Sequence, residues 1–425
     1  MLTKPPREPE WRSWLWVILW SIVIYVTIPF ARAIQKWVQA HAGREWFGYA
    51  VIAIVLLAAV RTIVFLVRHR VRARGSYVWL SAVAVVFVWY TIELWDNAEE
   101  AMHFVQYGVL GLLIYRALTH RVRDVTIYFT AAVIGAIVGT IDEAIQWATP
   151  DRYWALRDIW LNFFAVALVQ VAIARGLKPP LISSPIAPVN VQRLCRFAVV
   201  ALLLLAASLL NTPARIDWYA SRIPFLRFLK TNESVMFEYG YLYEDPDIGV
   251  FRSRLSPEEL ARTDRERGEN AARILDQYQG DEAYRAFLKR YTPVSDPFLH
   301  EARVHLFSRD RLWSRAESYR DQEHRFRPLI TRAYREHLIL AKYFSHTLKQ
   351  SAYTLSPEQV AFLEEHQLPD FKFESRVSNK LVTGVTEGQI AMGFGLLCLG
   401  LTLVHVYVGK NRAQTQEQVS QHARA

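Results

Sequence analysis

Apolar runs about as long as a bilayer is thick constrain this chain more than any other feature. Residues 47–67, 78–95 and 390–408 form the clearest of them. A helix crosses the hydrocarbon core with about 20 such residues. Runs of this kind start near Trp14, Phe47, Val78, His103, Asp124, Asp158, Leu194 and Ile390. The chain therefore reads as an all-α integral membrane protein. We expect a polytopic helical bundle of roughly eight spans, with a mostly α-helical extracytoplasmic domain inserted before the last span.

A formal charge of +10 invites a nucleic-acid partner. The placement of the charges excludes that reading. Arg68, Arg70, Arg72 and Arg74 sit in one short loop between apolar runs, Arg121 and Arg123 in another, Lys178 and Arg193 in a third. This is the cytoplasmic-loop bias of a bacterial inner-membrane protein. It puts the N-terminus inside, residues 96–100, 149–157 and 211–388 outside, and Lys410 and Arg412 back inside. The basic loop at 32–44 then falls outside, or lies as an amphipathic helix at the headgroups. Lys4, Arg7 and Arg12 before the first run, with Ala31-Arg32-Ala33 after it, imitate a signal peptide. The run is Trp-rich and has no polar break, so it reads as a retained span. Trp11, Trp14, Trp16 and Trp20 read as an interface belt. The two cysteines, Cys195 and Cys398, each lie in or beside an apolar run and suggest no disulfide framework.

Segment 211–388 contains no run long enough to span, and its acids and bases nearly balance. Ser256-Pro257-Glu258-Glu259 and Ser356-Pro357-Glu358-Gln359 are two capping-box helix starts. Ser295-Asp296-Pro297 opens another helix. Residues 321–350 have a helical apolar period. Tyr-, Phe- and Val-rich residues 234–252, with Pro246 and Gly249 at a turn, predict a short hairpin. The polar last dozen residues read as disordered.

Between two of the apolar runs lies a dense polar stretch, 139–162. It carries Asp142, Glu143, Gln146, Asp151, Arg152, Arg157, Asp158 and Asn162. Polar groups near lipid are costly unless they pair, bind something or reach water. Asp142 and Gln146 are four apart, as are Asp158 and Asn162, so each pair shares a helix face. Gly135 and Gly139, also four apart, let a neighbouring helix come close. Upstream, Glu93, Asp96, Glu100, His103 and Tyr107 follow a helical spacing at the same predicted boundary. Three chemistries fit. Paired carboxylates serve as acid and base. Carboxylates with His103 suit a divalent cation, although no spacing defines a metal set. Arg152 and Arg157 suit a phosphate. Asp142, Glu143, His103 and Asp158 are the catalytic candidates. Arg152, Arg157, Gln146, Asn162 and Glu100 are the binding candidates. The bland alternative is a set of ion pairs, such as Asp142–Arg152 or Glu143–Arg157, that pin helix ends.

These residues also carry a family resemblance. His103-Phe104 at a span start, Asp142-Glu143 with Gln146, then Pro150 and Arg152, then Asp158 with Asn162, resemble the VanZ-like membrane family over residues 47–175. Asp151 and Ala165 stand where that pattern usually has glycine. The family takes its name from a protein associated with low-level glycopeptide-antibiotic resistance. The resemblance implies a cell-envelope setting and names no reaction. The expected domains are then 1–46, a span and interfacial segment; 47–175, VanZ-like; 176–210, a cytoplasmic loop and span; 211–388, extracytoplasmic; 389–409, the last span; and 410–425, a cytoplasmic tail.

The leading expectation is a protein that binds or modifies a membrane lipid or lipid-linked precursor at the outer boundary. The alternative is a non-enzymatic scaffold or sensor whose segment 211–388 recruits an envelope protein. A small-ion transporter is a third class, disfavoured by the few polar residues deep in other spans. His300-Glu301 and His305 resemble a zinc-protease signature only superficially, because the two histidines are five apart. No phosphate loop, dinucleotide fingerprint or serine-nucleophile motif is present, and the cofactor is left open.

Overall fold

A computed structural model describes residues 8–43, 45–68, 73–95, 98–149, 152–232 and 235–422. Arg70, Arg72, Asp96, Pro150 and Asp151 of the expectations above lie outside these residues, as does the side chain of Glu100. Among the described residues the regular elements are helices and one two-stranded hairpin, and eight helices are long and apolar enough to cross a membrane. The chain divides into two compact units, residues 1–208 with 392–425, and residues 209–391.

The first unit contains α1 (Glu10–Ala42), α2 (Trp46–Arg68), α3 (Arg74–Glu93), α4 (Ala98–Leu118), α5 (Thr126–Trp147), α6 (Leu156–Val171) and α7 (Pro188–Leu209). A π-helical turn, Ala172–Leu177, extends α6. α4, α5 and α6 form the centre, with Phe104, Tyr107, Ile114, Ile127, Ala131, Ala165 and Val166 buried. Outward residues are large and apolar, such as Leu57 and Phe129. Lipid is as apolar as leucine, so close packing rather than water exclusion holds such helices together. Gly135 and Gly139 show how. A Cβ on Gly135 would stand 2.7 Å from Val166, and one on Gly139 3.0 Å from Asn162.

The opposite end of the bundle is tied by charge. Arg116 pairs with Glu8 at 2.9 Å and Arg121 with Glu10 at 2.7 Å. Asp124 accepts from the Ala187 backbone N–H at 3.0 Å and from Asn190 at 2.8 Å, joining the α4–α5 and α6–α7 connections. Burial would raise the Asp124 carboxyl. The donors from Ala187, Thr126 and Asn190 outweigh it and hold the group below the usual carboxylate range.

Of the two readings of 32–44, a helix rather than a loop forms, to Ala42, because good helix formers continue α1 to the first break at Gly43. Two expectations change. Trp14 and Trp20 leave the interface belt. Both pack on the core, and Trp20 donates its ring N–H to the Gln106 carbonyl at 2.8 Å. Trp11 and Trp16 remain exposed. The tail expected to be disordered from 410 continues the last helix to His422, since Lys410 to His422 contain neither Gly nor Pro.

The second unit opens with α8 (Pro213–Arg222) and a 3-10 stretch, Pro224–Thr231. The predicted hairpin is β1 (Tyr241–Asp245) and β2 (Gly249–Ser253), antiparallel with Tyr243 opposite Phe251. Then come α9 (Pro257–Asp276), α10 (Asp281–Arg290), α11 (Pro297–Glu317), α12 (Glu323–Tyr343), α13 (Ser345–Lys349), α14 (Pro357–His366) and α15 (Glu387–His422), whose first residues belong to this unit. Ser256 and Ser356 form the two capping boxes, and Asp296 caps α11. The helical stretch expected over 321–350 is broken at Phe344. There Asp264 of α9 takes the free N–H groups of His346 and Thr347, at 2.8 and 3.0 Å, and caps α13. α11 packs on α12 around Leu306, Ile339 and Phe344.

His300, Glu301 and His305 go to different partners. His300 Nδ1 meets the Tyr291 carbonyl at 2.9 Å, and Glu301 accepts from the Arg254 backbone N–H at 3.1 Å. His305 Nδ1 lies 2.6 Å from Glu336. Burial, helped by the nearby Arg254 charge, pushes His300 down to about 4, and burial with Arg309 does the same to His337.

Two outcomes are expected. Gly135→Ala should destabilise the full-length protein in detergent by about 1–3 kcal/mol, through overpacking on Val166; Val166→Ala in the same chain should restore the melting temperature. The neutral histidines also give a pH slope. Above the ordinary 6.5 both states are neutral and stability is full; below it the unfolded chain binds protons that the fold refuses, so stability falls from pH 6.5 towards 4. His300 accounts for about 3 kcal/mol of that loss. Melting curves of His300→Gln should show a shallower slope in this window, and an unchanged slope would refute the assignment.

Candidate functional site

The polar stretch is built by three helix ends. The last turns of α5 supply Asp142, Glu143 and Gln146. The first turns of α4 supply His103 and Tyr107, and the first turns of α6 supply Asp158 and Asn162. Arg152 comes from the connection between α5 and α6. The helical spacing is the reason these groups converge. His103 and Tyr107 are four apart on one face of α4, as are Asp142 and Gln146 on α5.

Asp142 lies at the centre and is fully buried. Its Oδ2 accepts from the Tyr107 hydroxyl at 3.0 Å and stands 3.6 Å from His103 Nδ1. Glu143, equally buried, accepts from Gln146 Nε2 at 2.7 Å and from the Ala155 backbone N–H at 3.2 Å. Arg152 donates to Gln146 Oε1 at 2.5 Å. Gln146 therefore bridges Glu143 to Arg152, and Glu143 holds the start of α6 against the end of α5. Asp158 lies within electrostatic reach of His103, Arg157, Arg152 and Asp142, and Glu143 within reach of Asp158 and Asp142.

Three carboxyl groups, two buried and one half-buried, thus share one region with the Arg152 guanidinium and the His103 imidazole. Buried charge is tolerated only when it is paired and hydrogen-bonded. Three buried polar atoms here have no hydrogen-bond partner among the described residues: His103 Nδ1, Asp142 Oδ1 and Asn162 Nδ2. Asp142 Oδ1 is an acceptor and Asn162 Nδ2 a donor. His103, with 19% of its side chain exposed, is a partly open member that stands against Asp142. The set can bind an anion at Arg152, hydrogen-bond a polar group near Asp142 and Asn162, and relay a proton through His103. Among the described residues no group of three or more His, Cys, Asp or Glu side chains is arranged to hold a metal ion.

Of the predicted residues, Asp142, Glu143, Gln146 and Asn162 are buried, His103, Arg152 and Asp158 are half-buried, and Arg157 is exposed. Glu93 ends α3 before a break at Leu94–Trp95, so it does not continue the His103 face. The sequence reading passed over Tyr25 of α1. Its hydroxyl donates to the Val138 carbonyl at 3.1 Å, and it interacts electrostatically with Asp142. A tyrosine alone in an apolar run was the available signal, because a hydroxyl in lipid seeks a partner.

No protein-family model, curated protein or solved structure matches the chain.

Gln146→Ala should strand a Glu143 oxygen and release Arg152. The expected loss is about 1–3 kcal/mol for the unsatisfied buried acceptor. Thermal unfolding in detergent checks it, with Asn162→Ala, whose amide nitrogen has no partner, as the mild control.

Proposed function

We propose that the chain is a VanZ-like cell-envelope protein that binds or modifies a membrane lipid or lipid-linked precursor at the outer membrane–water boundary. The observation that carries this reading is Asp142, buried beside His103 and Tyr107 with one carboxylate oxygen left without a donor. That open oxygen is an acceptor that a donor group of a ligand can meet. Arg152 and Arg157 take the phosphate of the ligand, since guanidinium matches phosphate in charge and geometry. Gln146 positions Arg152. Asp142 turns His103 Nδ1 inward and leaves Nε2 as the atom that exchanges a proton with the ligand. Asp158 and Glu143 supply the further acidic groups of the site, and Glu100 stands one turn before His103 on α4.

The same reading sets the protein in the bacterial cytoplasmic membrane. Eight spans put both termini on one side. Arg68, Arg74, Arg121, Arg123 and Lys178 lie at the connections on the side of the N-terminus, which the positive-inside bias makes cytoplasmic. Residues 211–388 are then extracytoplasmic.

Native mass spectrometry of the full-length protein from mild detergent tests the site, with the Asp142→Asn/Glu143→Gln double variant beside it. A defined phosphate-bearing lipid is expected on the wild type and at least tenfold less on the variant. The same lipid load on both proteins would sink the reading.

A further inference from the structure

A cavity with a basic rim lies at the other end of the first unit from the Asp142 cluster. Leu118 lines it, about 22 Å along α4 from His103 at ~1.5 Å per residue. Its volume is about 560 Å³, and it is bounded by Glu10 and Trp14 of α1, Arg121 after α4, and Arg193, Arg196 and Phe197 of α7. These arginines come from loops and helix ends far apart in sequence.

Their convergence is costly as it stands. Arg193 and Arg196 are three apart on one helix, where like charges repel, and Arg193 feels the charges of both Arg121 and Arg196. The acids within reach are already engaged. Glu10 is paired to Arg121, and Asp124 is occupied by Thr126, Ala187 and Asn190. Arg193 donates to the Asn190 side-chain oxygen at 2.9 Å, and Asn190 in turn donates to Asp124, so Arg193 reaches a carboxylate only through a neutral bridge. Arg196 has no ion pair or hydrogen bond among the described residues and is exposed. The cavity therefore holds three cations against one anion. Trp14, Leu118, Phe197 and Val200 give the rest of its lining an apolar character.

We propose that this cavity is an anion site that takes the phosphate group of an anionic membrane lipid, with Arg193 and Arg196 on the phosphate and Trp14 and Phe197 along the first part of a chain. Forked guanidinium donors suit phosphate oxygens, and basic pockets between membrane helices suit anionic headgroups. A free phosphate shares the charge chemistry but makes no use of the aromatic walls. The inference is independent of the Asp142 cluster, which uses the opposite ends of α4 and α5.

The test is made on the full-length protein in phosphatidylcholine nanodiscs, with melting temperature and native mass spectrometry as readouts. Adding phosphatidylglycerol should raise the melting temperature and give a retained adduct. Arg193→Gln/Arg196→Gln should lower adduct occupancy at least tenfold and abolish the rise. Without anionic lipid the double variant should melt no lower than the wild type, because like-charge repulsion is relieved; this separates a binding role from a structural one. Inorganic phosphate is titrated in parallel. Protection by phosphate equal to that by the lipid would keep the anion site and assign it to a soluble ion. Equal phosphatidylglycerol occupancy in wild type and double variant would overturn the proposal, and so would indifference of the wild type to both anions.

Discussion

The membrane unit depends on one constraint: in the bilayer core there is no water to satisfy a polar group, so each must find its partner in protein. The main-chain groups are met by helix formation. The side chains are met by packing helices in one register. Asp142 makes the point. Its oxygen is reached by Tyr107 from α4, and its neighbour Glu143 holds the backbone of Ala155 at the start of α6. Gly135 and Gly139 permit the approach of α6 that these bonds require. Close packing and polar satisfaction are thus the same arrangement seen from two sides.

That arrangement separates the charges of the bundle into two sets. One end gathers carboxyls around His103 and Arg152. The other gathers arginines around a cavity, tied by Glu8, Glu10 and Asp124. In between, the described side chains are almost wholly apolar. The second unit follows a different rule. Water drives its core together, and its buried polar groups, such as Arg254 with Glu238 and Glu301, or His305 with Glu336, lock helices and hairpin to each other.

Much of this was legible from residues alone, and the reasons are local. A run's cost of transfer into lipid depends on its own side chains, so the spans start within a few residues of where hydropathy puts them. Ser256 and Ser356 cap their helices because the partner of each lies three residues on. The misreadings are local rules overruled by neighbours. Trp14 and Trp20 looked like interface residues by type, yet the face they share with Val17 and Ile24 packs on α4. The break at Phe344 needs Asp264, which lies about eighty residues away in the chain.

The sequence by itself determined eight runs of spanning length, the capped helix starts at Ser256, Asp296 and Ser356, the hairpin and the identity of the polar groups near 142–162, since each is a property of residues within one or two turns. Only the tertiary structure decided which polar groups meet. It brought Tyr25 and Tyr107 to Asp142 and Asn162 against Gly139, made Gln146 the bridge to Arg152, and closed Arg121, Arg193 and Arg196 around one cavity. Those encounters depend on helix register. Register is set by the fit of small residues such as Gly135 against side chains such as Val166 on another helix, and that fit is non-local.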